Sequence, residues 1–442
     1  MRVLFVIPEY PPSYGGGIAT YYGTLLPELA AQGMEVTAVV GSSLSEGPAP
    51  ALLDGVKIIP LDRSLLLRLK PSFATFALAP DFAAHLAGAW AAWEQTNGGQ
   101  GYDVVECSDW GLLFVPWIVA DAAPPVLVRM HASIGQIGRY DPQDGHLLAE
   151  SLAALTEDTL LPHATSLATY GRANQSDWTY RLRREVGYVP PAYESGSMGE
   201  MESVRNPGGL VVGRVQSWKG PEVLCKAVAR LGRDAPNIDW VGRDMPFPNS
   251  KGTMGSRLKR DYPGVWGKKI RHHHPLPPEE VYQRQATSSF VVVPSDWDVF
   301  NLGAIEAMSA GAVVICSTGA GAADLIQDGE NGFSFPAGDD AALASCLQKV
   351  AKLTDVERNR IGIRARETTK TELSPRDIAA RHSDQLLGAC SISRSPVPSD
   401  RRRLFSPSEC LSLNESGLAR LPIRELGSQL GERLLNKLHR SK

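Results

Sequence analysis

The chain has 442 residues, of which 43% are hydrophobic and 21% are charged. This composition excludes a disordered, collagen-like or disulfide-stapled protein, and the length predicts two to three domains. The net charge of −3 is too close to balance to indicate a nucleic-acid partner.

The charge is unevenly distributed along the chain. Residues 1–195 contain 11 Lys and Arg against 20 Asp and Glu, residues 196–390 contain 24 against 23, and residues 391–442 contain 10 against 5. An acidic first half is therefore followed by a nearly neutral second half and a basic tail.

The first half alternates short apolar runs with helical patterns, which is typical of β-α-β units around a parallel sheet. A helix is predicted from Ile18 to Gln32, entered through the glycine-rich turn Gly15–Gly17. We expect strands at Val3–Ile7, Glu35–Val40, Val56–Ile59, Val104–Glu106 and Val126–His131.

The second half repeats this alternation. Between the two halves, residues 194–207 are rich in Gly, Ser, Met and Glu, a composition typical of a linker. The sequence therefore predicts two doubly wound halves. Strands of the second half are expected at Gly209–Gly213, Ile238–Gly242, Phe290–Val293, Val313–Cys316 and Gly332–Phe335.

The six cysteines are widely scattered, with no Cys or His spacing that could hold zinc. This usage favours a reducing, cytoplasmic location. No stretch predicts a transmembrane helix, because the best candidate, Phe73 to Trp93, is interrupted by proline and charge. Leu65–Lys70 mixes leucines with cations, which fits either a membrane-surface helix or a core helix with two exposed cations.

The loop after the first predicted strand contains three consecutive glycines, Gly15–Gly17. Glycines at a strand-to-helix turn let backbone N–H groups approach an anion at the positive end of a helix. The loop matches neither the G-x-G-x-x-G nor the Walker A motif. A phosphate contact and a purely conformational turn both remain open.

Two cations, Arg214 and Lys219, follow a predicted strand of the second half. The guanidinium could bind two oxygens of a multiply charged anion while the ammonium adds a point charge. A pair of solvated surface cations is the alternative.

Two acids flank the start of a helix predicted near Leu302. Asp298 lies in the loop after Pro294, and Glu306 follows eight residues later. Acids beside the free N–H groups of a helix start can hold sugar hydroxyls while the helix end holds phosphate.

In this order, these segments resemble the retaining GT-B glycosyltransferases that carry a Glu-x7-Glu motif, a family 4-like group that uses nucleotide sugars. The resemblance covers about residues 1–390 and extends to Met130–Ser133 and Val241–Arg243. It implies an α/β fold of the GT-B type, with two Rossmann-like doubly wound domains facing across a cleft.

The resemblance also divides the chain into parts. Residues 1–195 would form the acceptor-side domain, residues 196–375 the nucleotide-sugar domain, and residues 376–390 a helix that returns to the first domain. The basic tail, residues 391–442, lies outside the resemblance. Its polar, proline-interrupted start is typical of a mobile segment, and Leu418 to Leu438 predicts a terminal amphipathic helix.

Roles for single residues follow from the resemblance. Arg214 and Lys219 would neutralise the donor diphosphate, while Gly16 and Gly17 would lie near the phosphates or the acceptor. Glu306 would hold the ribose hydroxyls. The candidate catalytic residues are His131, Arg214, Lys219 and Asp298.

The donor sugar and base would have their own contacts. His131 would approach the sugar at its reacting face, and Arg243 with the loop His274–Leu276 would border the nucleobase. The sugar hydroxyls would be held by Asp298 and by the backbone of Phe300, Asn301, Leu302 and Gly303. On the acceptor side, Asp109 fits an acceptor contact or a surface cap equally, and Ser133 is a second candidate.

One departure from the family motif concerns its first acid, which is Asp298 where Glu is usual. Aspartate is one methylene shorter, so its contact could need a shifted loop, a different sugar epimer or a bridging water. The choice of donor sugar is therefore left open.

No metal or cofactor is expected. Asp296 and Asp298 have the D-x-D spacing of metal-dependent glycosyltransferases, but Arg214 and Lys219 already supply the positive charge that a metal would supply. His272–His274 is predicted as a polar loop, because adjacent residues on an extended chain point to opposite sides and cannot share one ion.

The predicted function is retaining transfer of a hexose from a UDP- or GDP-type sugar to a hydroxyl of a sugar, lipid-linked or small-molecule acceptor. Two other classes remain open: a nucleotide-sugar epimerase of the same fold, and an inactive scaffold. A peripheral membrane contact is a further option, and no nucleic-acid partner is expected.

Overall fold

The computed structural model describes residues 1–12, 16–141, 147–194, 206–247 and 252–408. Two mainly parallel sheets organise these residues, with helices connecting successive strands. The predicted α/β architecture with two doubly wound halves is confirmed.

The first sheet has eight strands in the order β3-β4-β2-β1-β5-β6-β7-β8, and only β3 runs antiparallel to its neighbour. Its strands are β1 (Arg2–Ile7), β2 (Glu35–Val40), β3 (Ala51–Leu53), β4 (Val56–Pro60), β5 (Val104–Ser108), β6 (Val126–Met130), β7 (Ser166–Thr169) and β8 (Gly187–Tyr188).

The second sheet has six parallel strands in the order β11-β10-β9-β12-β13-β14. Its strands are β9 (Asn206–Val212), β10 (Ile238–Val241), β11 (Ile270–His273), β12 (Ser288–Val293), β13 (Val314–Ser317) and β14 (Phe333–Phe335).

The helices connect the strands and cover both faces of the sheets. Those of the first domain are α1 (Gly17–Ala31), α2 (Arg63–Leu69), α3 (Pro80–Gln95), α4 (Val115–Val119), α5 (Ile134–Tyr140), α6 (Leu147–Leu160) and α7 (Arg172–Leu182). Those of the second domain are α8 (Pro221–Leu231), α9 (Met254–Asp261), α10 (Pro278–Thr287), α11 (Leu302–Ser309), α12 (Asp340–Ala351) and α13 (Asp355–Glu372). Two helices follow, α14 (Pro375–Cys390) and α15 (Ser399–Phe405).

The apolar runs become central strands because helices cover both faces of each sheet. In β1, every residue from Val3 to Ile7 is fully buried. In α1, Leu25, Leu26 and Leu29 form the buried face toward the sheet. The carboxyl ends of these strands carry the loops in which ligand contacts are expected.

Helix α14 crosses from the second domain to the first, where it packs on α1, β5 and β6. Its His382 is fully buried and hydrogen-bonds Glu106 of β5, with 2.6 Å between Nε2 and Oε2. The last helix before the tail is therefore part of the first domain's core.

The chain after α14 is packed on the first domain. Val397 and Phe405 are buried in its core, and the indole N–H of Trp90 donates to the carbonyl of Phe405 at 2.8 Å. A mobile segment from Ser391 onward was the wrong expectation for residues 391–408, because these two apolar side chains anchor it. The predicted amphipathic helix between Leu418 and Leu438 lies outside the described residues.

Four strands were missed by the hydrophobic pattern, namely β3, β7, β8 and β11, of which β3 and β8 have three and two residues. His272 and His273 belong to β11, so the prediction of a polar loop was wrong for them. The imidazole of His272 hydrogen-bonds the carbonyl of Gly242, whereas that of His273 contacts Asp239. Neighbouring histidines therefore have separate partners.

Helix α2, predicted as either a core or a membrane-surface helix, packs against α3. Leu66 and Leu69 are buried, whereas Leu67 is exposed. Within the part of the chain that the structure describes, no helix is long and apolar enough to cross a bilayer.

Candidate active site

The carboxyl ends of the two sheets face each other, and loops from both domains meet between them. A Cβ atom placed on Gly171, which precedes α7, would lie 1.9 Å from the carbonyl oxygen of Val299 in the second domain. On the other side, Gly17 at the start of α1 lies against the side chain of Leu302 at the start of α11. The domains are therefore in close contact at two places where a glycine provides the room.

Two helix N-termini meet in this way, those of α1 and α11. The N-terminal turn of a helix carries partial positive charge and N–H groups without helical partners, which suits an anion. Asn301 caps α11, with its side-chain oxygen accepting from the N–H of Ala304 at 3.1 Å. Gly16, which is exposed, precedes α1 and carries no side chain that could block it.

Three cations lie on the second domain's side of the cleft. Arg214 follows β9, Lys219 ends the short helix Ser217–Lys219, and Arg243 follows β10. The ring of Trp218 is in contact with two of them: Lys219 Nζ lies 4.4 Å and Arg214 Cζ 5.9 Å from its centroid. Trp218 therefore brings both cations to one face of the cleft.

Electrostatics connect these cations with the acids of the cleft. Burial lowers the pKa of Arg214. The negative charge of Asp298 raises this pKa, whereas the positive charge of Arg243 lowers it further. In the loop after β1, burial raises the pKa of Glu9 and the charge of Arg214 lowers it. Arg214 therefore interacts with both domains.

Asp298 and Lys219 form an ion pair through Oδ2 and Nζ. Both side chains are mostly buried, with 13% and 18% of their surface exposed. Asn301 Nδ2 donates to the same carboxylate oxygen at 3.0 Å. Asp298, predicted to bind the sugar, and Lys219, predicted to bind the diphosphate, are therefore paired with each other. A diphosphate bound at Lys219 would share this lysine with Asp298.

Glu306 lies in the second turn of α11 and is largely buried. Burial raises its pKa, and a hydrogen bond from Gln285 opposes the rise. Gln285 also donates to the carbonyl of Gly303 at 3.1 Å. The two acids of the motif thus differ, since Asp298 has a cationic partner and Glu306 an amide.

His131 follows β6 and is only 5% exposed. Its Nδ1 lies 3.1 Å from the hydroxyl of Tyr170 and its Nε2 lies 2.9 Å from that of Tyr22. Burial and the charge of Arg129 lower its pKa to about 3, so the ring is neutral at physiological pH. The predicted contact with the sugar gains no support, because both ring nitrogens already have partners.

The backbone directly after His131 is unusual. Ala132 has a φ of 112°. Residues other than glycine rarely adopt this backbone conformation, and those with such strained backbones are found mainly at functional sites. The backbone just after β6 is therefore held in a strained conformation.

The two acceptor-side candidates are fully buried. Asp109 accepts from the N–H of His131 at 2.9 Å, so the surface-cap interpretation was wrong. Ser133 caps α5 by accepting from the N–H of Gln136 at 3.0 Å, and it donates to Glu157 at 2.8 Å. Both side chains hold the loop after β6, and neither presents a polar group to solvent.

A ring stack joins the domains above Trp218. Tyr140 of α5 lies parallel to Trp297, with centroids 4.4 Å apart, and Trp297 packs against Trp218 at 5.2 Å. Next to the stack, Gln216 hydrogen-bonds Asp141 of the first domain. The loop carrying Asp298 is thereby attached to α5.

Several of these residues were missed in the sequence. Tyr170 directly follows β7, and the rule that ligands lie beyond strand ends would have indicated it had β7 been predicted. Tyr22 and Tyr140 lie within or at the end of helical patterns, where aromatic residues are normally core. Their contacts depend on tertiary packing, which no local pattern reports.

The described residues bring no three His, Cys, Asp or Glu side chains together in a way that could hold a metal ion. The Asp298 carboxylate of the D-x-D spacing is paired with Lys219. The separate pair formed by His273 and Asp239 lies on β11 and β10.

Two protein-family models match this chain, one on each half. The model described as a glycosyl transferase 4-like domain matches residues 16–183, and that described as glycosyl transferases group 1 matches residues 206–368. The chain belongs to the GT-B glycosyltransferases of the family 4-like group. The two matches fall on the two sheet domains of this glycosyltransferase.

Curated relatives of this glycosyltransferase include proteins named D-inositol 3-phosphate glycosyltransferase. The one from Corynebacterium efficiens is 26% identical over an alignment of 382 positions that covers 80% of this chain and 86% of the relative. The one from Streptomyces coelicolor is 24% identical over an alignment of 447 positions, which covers 90% of this chain and 92% of the relative.

Solved structures show the same fold. Sucrose-phosphate synthase from Thermosynechococcus elongatus matches with a TM-score of 0.64 at 18% identity, over 88% of this chain and 99% of that chain. Anabaena HepE in complex with UDP-glucose matches with a TM-score of 0.60 at 15% identity, over 88% and 100%. The predicted GT-B architecture is confirmed.

Proposed function

We propose that this glycosyltransferase moves a sugar from a nucleoside diphosphate, of which UDP is the first candidate, to a hydroxyl acceptor with retention of anomeric configuration. The observation that carries the proposal is the pair of cations Arg214 and Lys219 around Trp218, beside the loop that leads into α11, whose N-terminus lies against that of α1. Cations and helix ends at one place suit a diphosphate.

In the proposed reaction, the bond between the anomeric carbon and the diphosphate oxygen breaks, and its electron pair stays on the leaving diphosphate. Arg214 and Lys219 stabilise this growing charge more than they stabilise the intact donor, which is what accelerates the step. The acceptor oxygen bonds to the same face of the anomeric carbon, and its proton passes to the leaving phosphate oxygen. This route needs neither an enzyme nucleophile nor a metal ion.

The acids on α11 and its preceding loop would bind the donor's hydroxyl groups. Glu306, buried and hydrogen-bonded by Gln285, would hold the ribose. Asp298 would bind the transferred sugar while it shares Lys219 with the diphosphate. Because Asp298 is already paired with Lys219, binding of the diphosphate and of the sugar would be coupled.

The names of the relatives guide the choice of substrates. HepE was crystallised with UDP-glucose and the curated relatives are named for D-inositol 3-phosphate. We therefore place UDP-sugars first among donors and polyols or their phosphates first among acceptors, followed by glycans and lipid-linked sugars.

The test is product formation by the purified full chain with EDTA present. UDP-sugars and GDP-sugars are incubated with a panel of acceptors, and proton NMR identifies the product and its anomeric configuration. A product with the donor's configuration is expected from the wild type, and Lys219→Ala should lower kcat about 100-fold or more. Lys268→Ala, which changes an exposed lysine of the same domain, is the control.

Four outcomes would contradict the proposal. An inverted product would exclude the retaining mechanism. Release of a C2 epimer without acceptor would indicate the epimerase, and nucleotide binding without turnover of any donor would indicate the inactive scaffold. Unchanged kcat in Lys219→Ala would remove Lys219 from the reaction.

A further inference from the structure

A buried polar network in the first domain lies behind the candidate active site, and the proposed reaction does not use it. Its centre is Glu106 of β5, which is fully buried. Oε1 accepts from the hydroxyl of Tyr22 at 3.0 Å and from Arg129 Nε at 3.3 Å. Oε2 accepts from Arg129 Nη2 at 3.3 Å and from His382 Nε2 of α14 at 2.6 Å.

Glu106 is ionised in this network. Burial alone would raise its pKa, but the charge of Arg129 and the interactions with His382 outweigh burial and hold the pKa well below its usual range. An ionised carboxylate can only accept hydrogen bonds. The hydroxyl of Tyr22 therefore donates its proton to Glu106. A charged carboxylate is a stronger acceptor than the neutral ring nitrogen of His131, which is the other partner of this hydroxyl.

This direction fixes the proton on the neighbouring imidazole. Because the single proton of Tyr22 is given to Glu106, its oxygen accepts from Nε2–H of His131 across 2.9 Å. The imidazole is neutral, so Nδ1 carries no proton and accepts from the hydroxyl of Tyr170 across 3.1 Å. The hydroxyl of Tyr170 also lies 3.3 Å from the carbonyl oxygen of His131, and Nδ1 is the nearer of its two acceptors.

The series reaches the second domain through Tyr170. Its ring packs edge-to-face on Phe300, with centroids 6.3 Å apart. Phe300 precedes Asn301, which both caps α11 and hydrogen-bonds Asp298. A continuous path of contacts thus connects a buried carboxylate of the first domain with the loop that carries the site's acid.

We propose that Glu106 and Tyr22 are positioning residues for the donor site: they hold His131 as the Nε2–H tautomer, which orients Tyr170 and keeps it against Phe300. The effect on catalysis rests on the proposed function, whereas the tautomer does not. Helix α14 takes part through His382, so the chain's return to the first domain also supports the donor loop.

The neighbouring tyrosine provides a matched control. Tyr21 and Tyr22 are both buried and both contact His131 through their rings. The hydroxyl of Tyr21 faces Nδ1 of His382 at 3.4 Å, outside the path from Glu106 to His131. Tyr21→Phe and Tyr22→Phe therefore remove the same group at similar burial, and only Tyr22→Phe interrupts the path.

The experiment combines nitrogen NMR and kinetics on the full chain. Histidine is labelled with ¹⁵N, and the signals of His131 are identified by their loss in His131→Gln. The wild type and Tyr21→Phe should show protonated Nε2 and unprotonated Nδ1. Tyr22→Phe should lose this state, because Nε2–H has no acceptor, and its kcat should fall about tenfold while Tyr21→Phe stays within about twofold of the wild type.

Three results would overturn the proposal: a proton on Nδ1 of the wild type, an unchanged tautomer and kcat in Tyr22→Phe, or an equal loss of kcat in both tyrosine variants. The first result is measured on the wild type, so the proposal can be overturned even if Tyr22→Phe does not fold. Absence of sugar transfer by the wild type would instead overturn the proposed function, and the NMR spectrum would still report the tautomer.

Discussion

At the scale of single residues, the pairing of Lys219 with Asp298 is the chief feature of the cleft. A carboxylate between two domains usually needs a partner, and this one has both a cation and the amide of Asn301. The motif that the sequence resembles has glutamate where this chain has Asp298. The shorter side chain of Asp298 is paired with Lys219, the cation that would bind the diphosphate.

Removing the charge of Asp298 while keeping its shape tests this pairing. In Asp298→Asn the side chain can still accept from Asn301, but the ion pair is lost. We expect kcat/KM for the donor to fall about 10- to 100-fold, the value of a hydrogen bond to a charged group. Steady-state kinetics with the sugar nucleotide measure this, and Asp296→Asn is the control. An unchanged kcat/KM would exclude Asp298 from sugar binding.

A second residue-scale prediction concerns Asp109. Burial raises its pKa to about 7, although backbone N–H groups oppose the rise. The folded protein therefore prefers the protonated form, and stability falls as the pH rises from the unfolded pKa toward this value. The free energy of unfolding of the wild type should fall between pH 5 and pH 8. In Asp109→Asn this fall should be about 2 kcal/mol smaller, because the amide cannot ionise.

Urea unfolding of the wild type and Asp109→Asn at both pH values measures the difference. Part of the pH dependence should persist in the variant, because burial also raises the pKa of Glu157, to about 8. Equal pH dependence of the two proteins would contradict the assignment.

At the scale of elements, the domains are in contact where α7 begins. Gly171→Ala would place a methyl group 1.9 Å from the carbonyl oxygen of Val299, which cannot be accommodated without moving the domains apart. We expect kcat to fall about tenfold, as for other small misplacements of catalytic groups. Gly264→Ala, where no atom lies within 4 Å, is the control. Equal kcat values would show that the approach of the domains at α7 is not needed.

Helix α15 makes a second prediction at this scale. Phe405 is 4% exposed, whereas its neighbour Leu404 is 48% exposed. Phe405→Ala should lower the free energy of unfolding by about 3 kcal/mol because it leaves a cavity in the core of the first domain, whereas Leu404→Ala should change it by less than about 0.5 kcal/mol. Urea denaturation distinguishes the two, and equal effects would mean that the helix does not stabilise the first domain.

The hydrophobic pattern predicted long strands far better than short ones. β2 and the central part of β1 were read correctly because their apolar runs are buried on both faces. β8, with two residues, depends on pairing with β7 and has no pattern of its own. The packing of Phe405 was also hidden, because two apolar residues after three arginines resemble a solvated tail.

At the scale of the whole molecule, the two-domain fold and its cleft were predictable because each half carries its own series of strands. Arg214, Lys219 and Asp298 lie together around Trp218 and the start of α11, and the roles assigned to them from the sequence stay predictions. The network around Glu106 was not predictable, since Tyr22, Arg129 and His382 come from distant parts of the chain. Residues that meet only through the return of α14 leave no local signal.

The central claim is that the cations of the second domain bind the diphosphate of a nucleotide donor. The most direct test is calorimetric titration of UDP into the full chain with EDTA present, repeated with GDP. We expect binding by the wild type and by Lys268→Ala, and at least about tenfold weaker binding by Arg214→Ala. Equal affinity of Arg214→Ala and the wild type, or a requirement for a divalent metal, would contradict the claim.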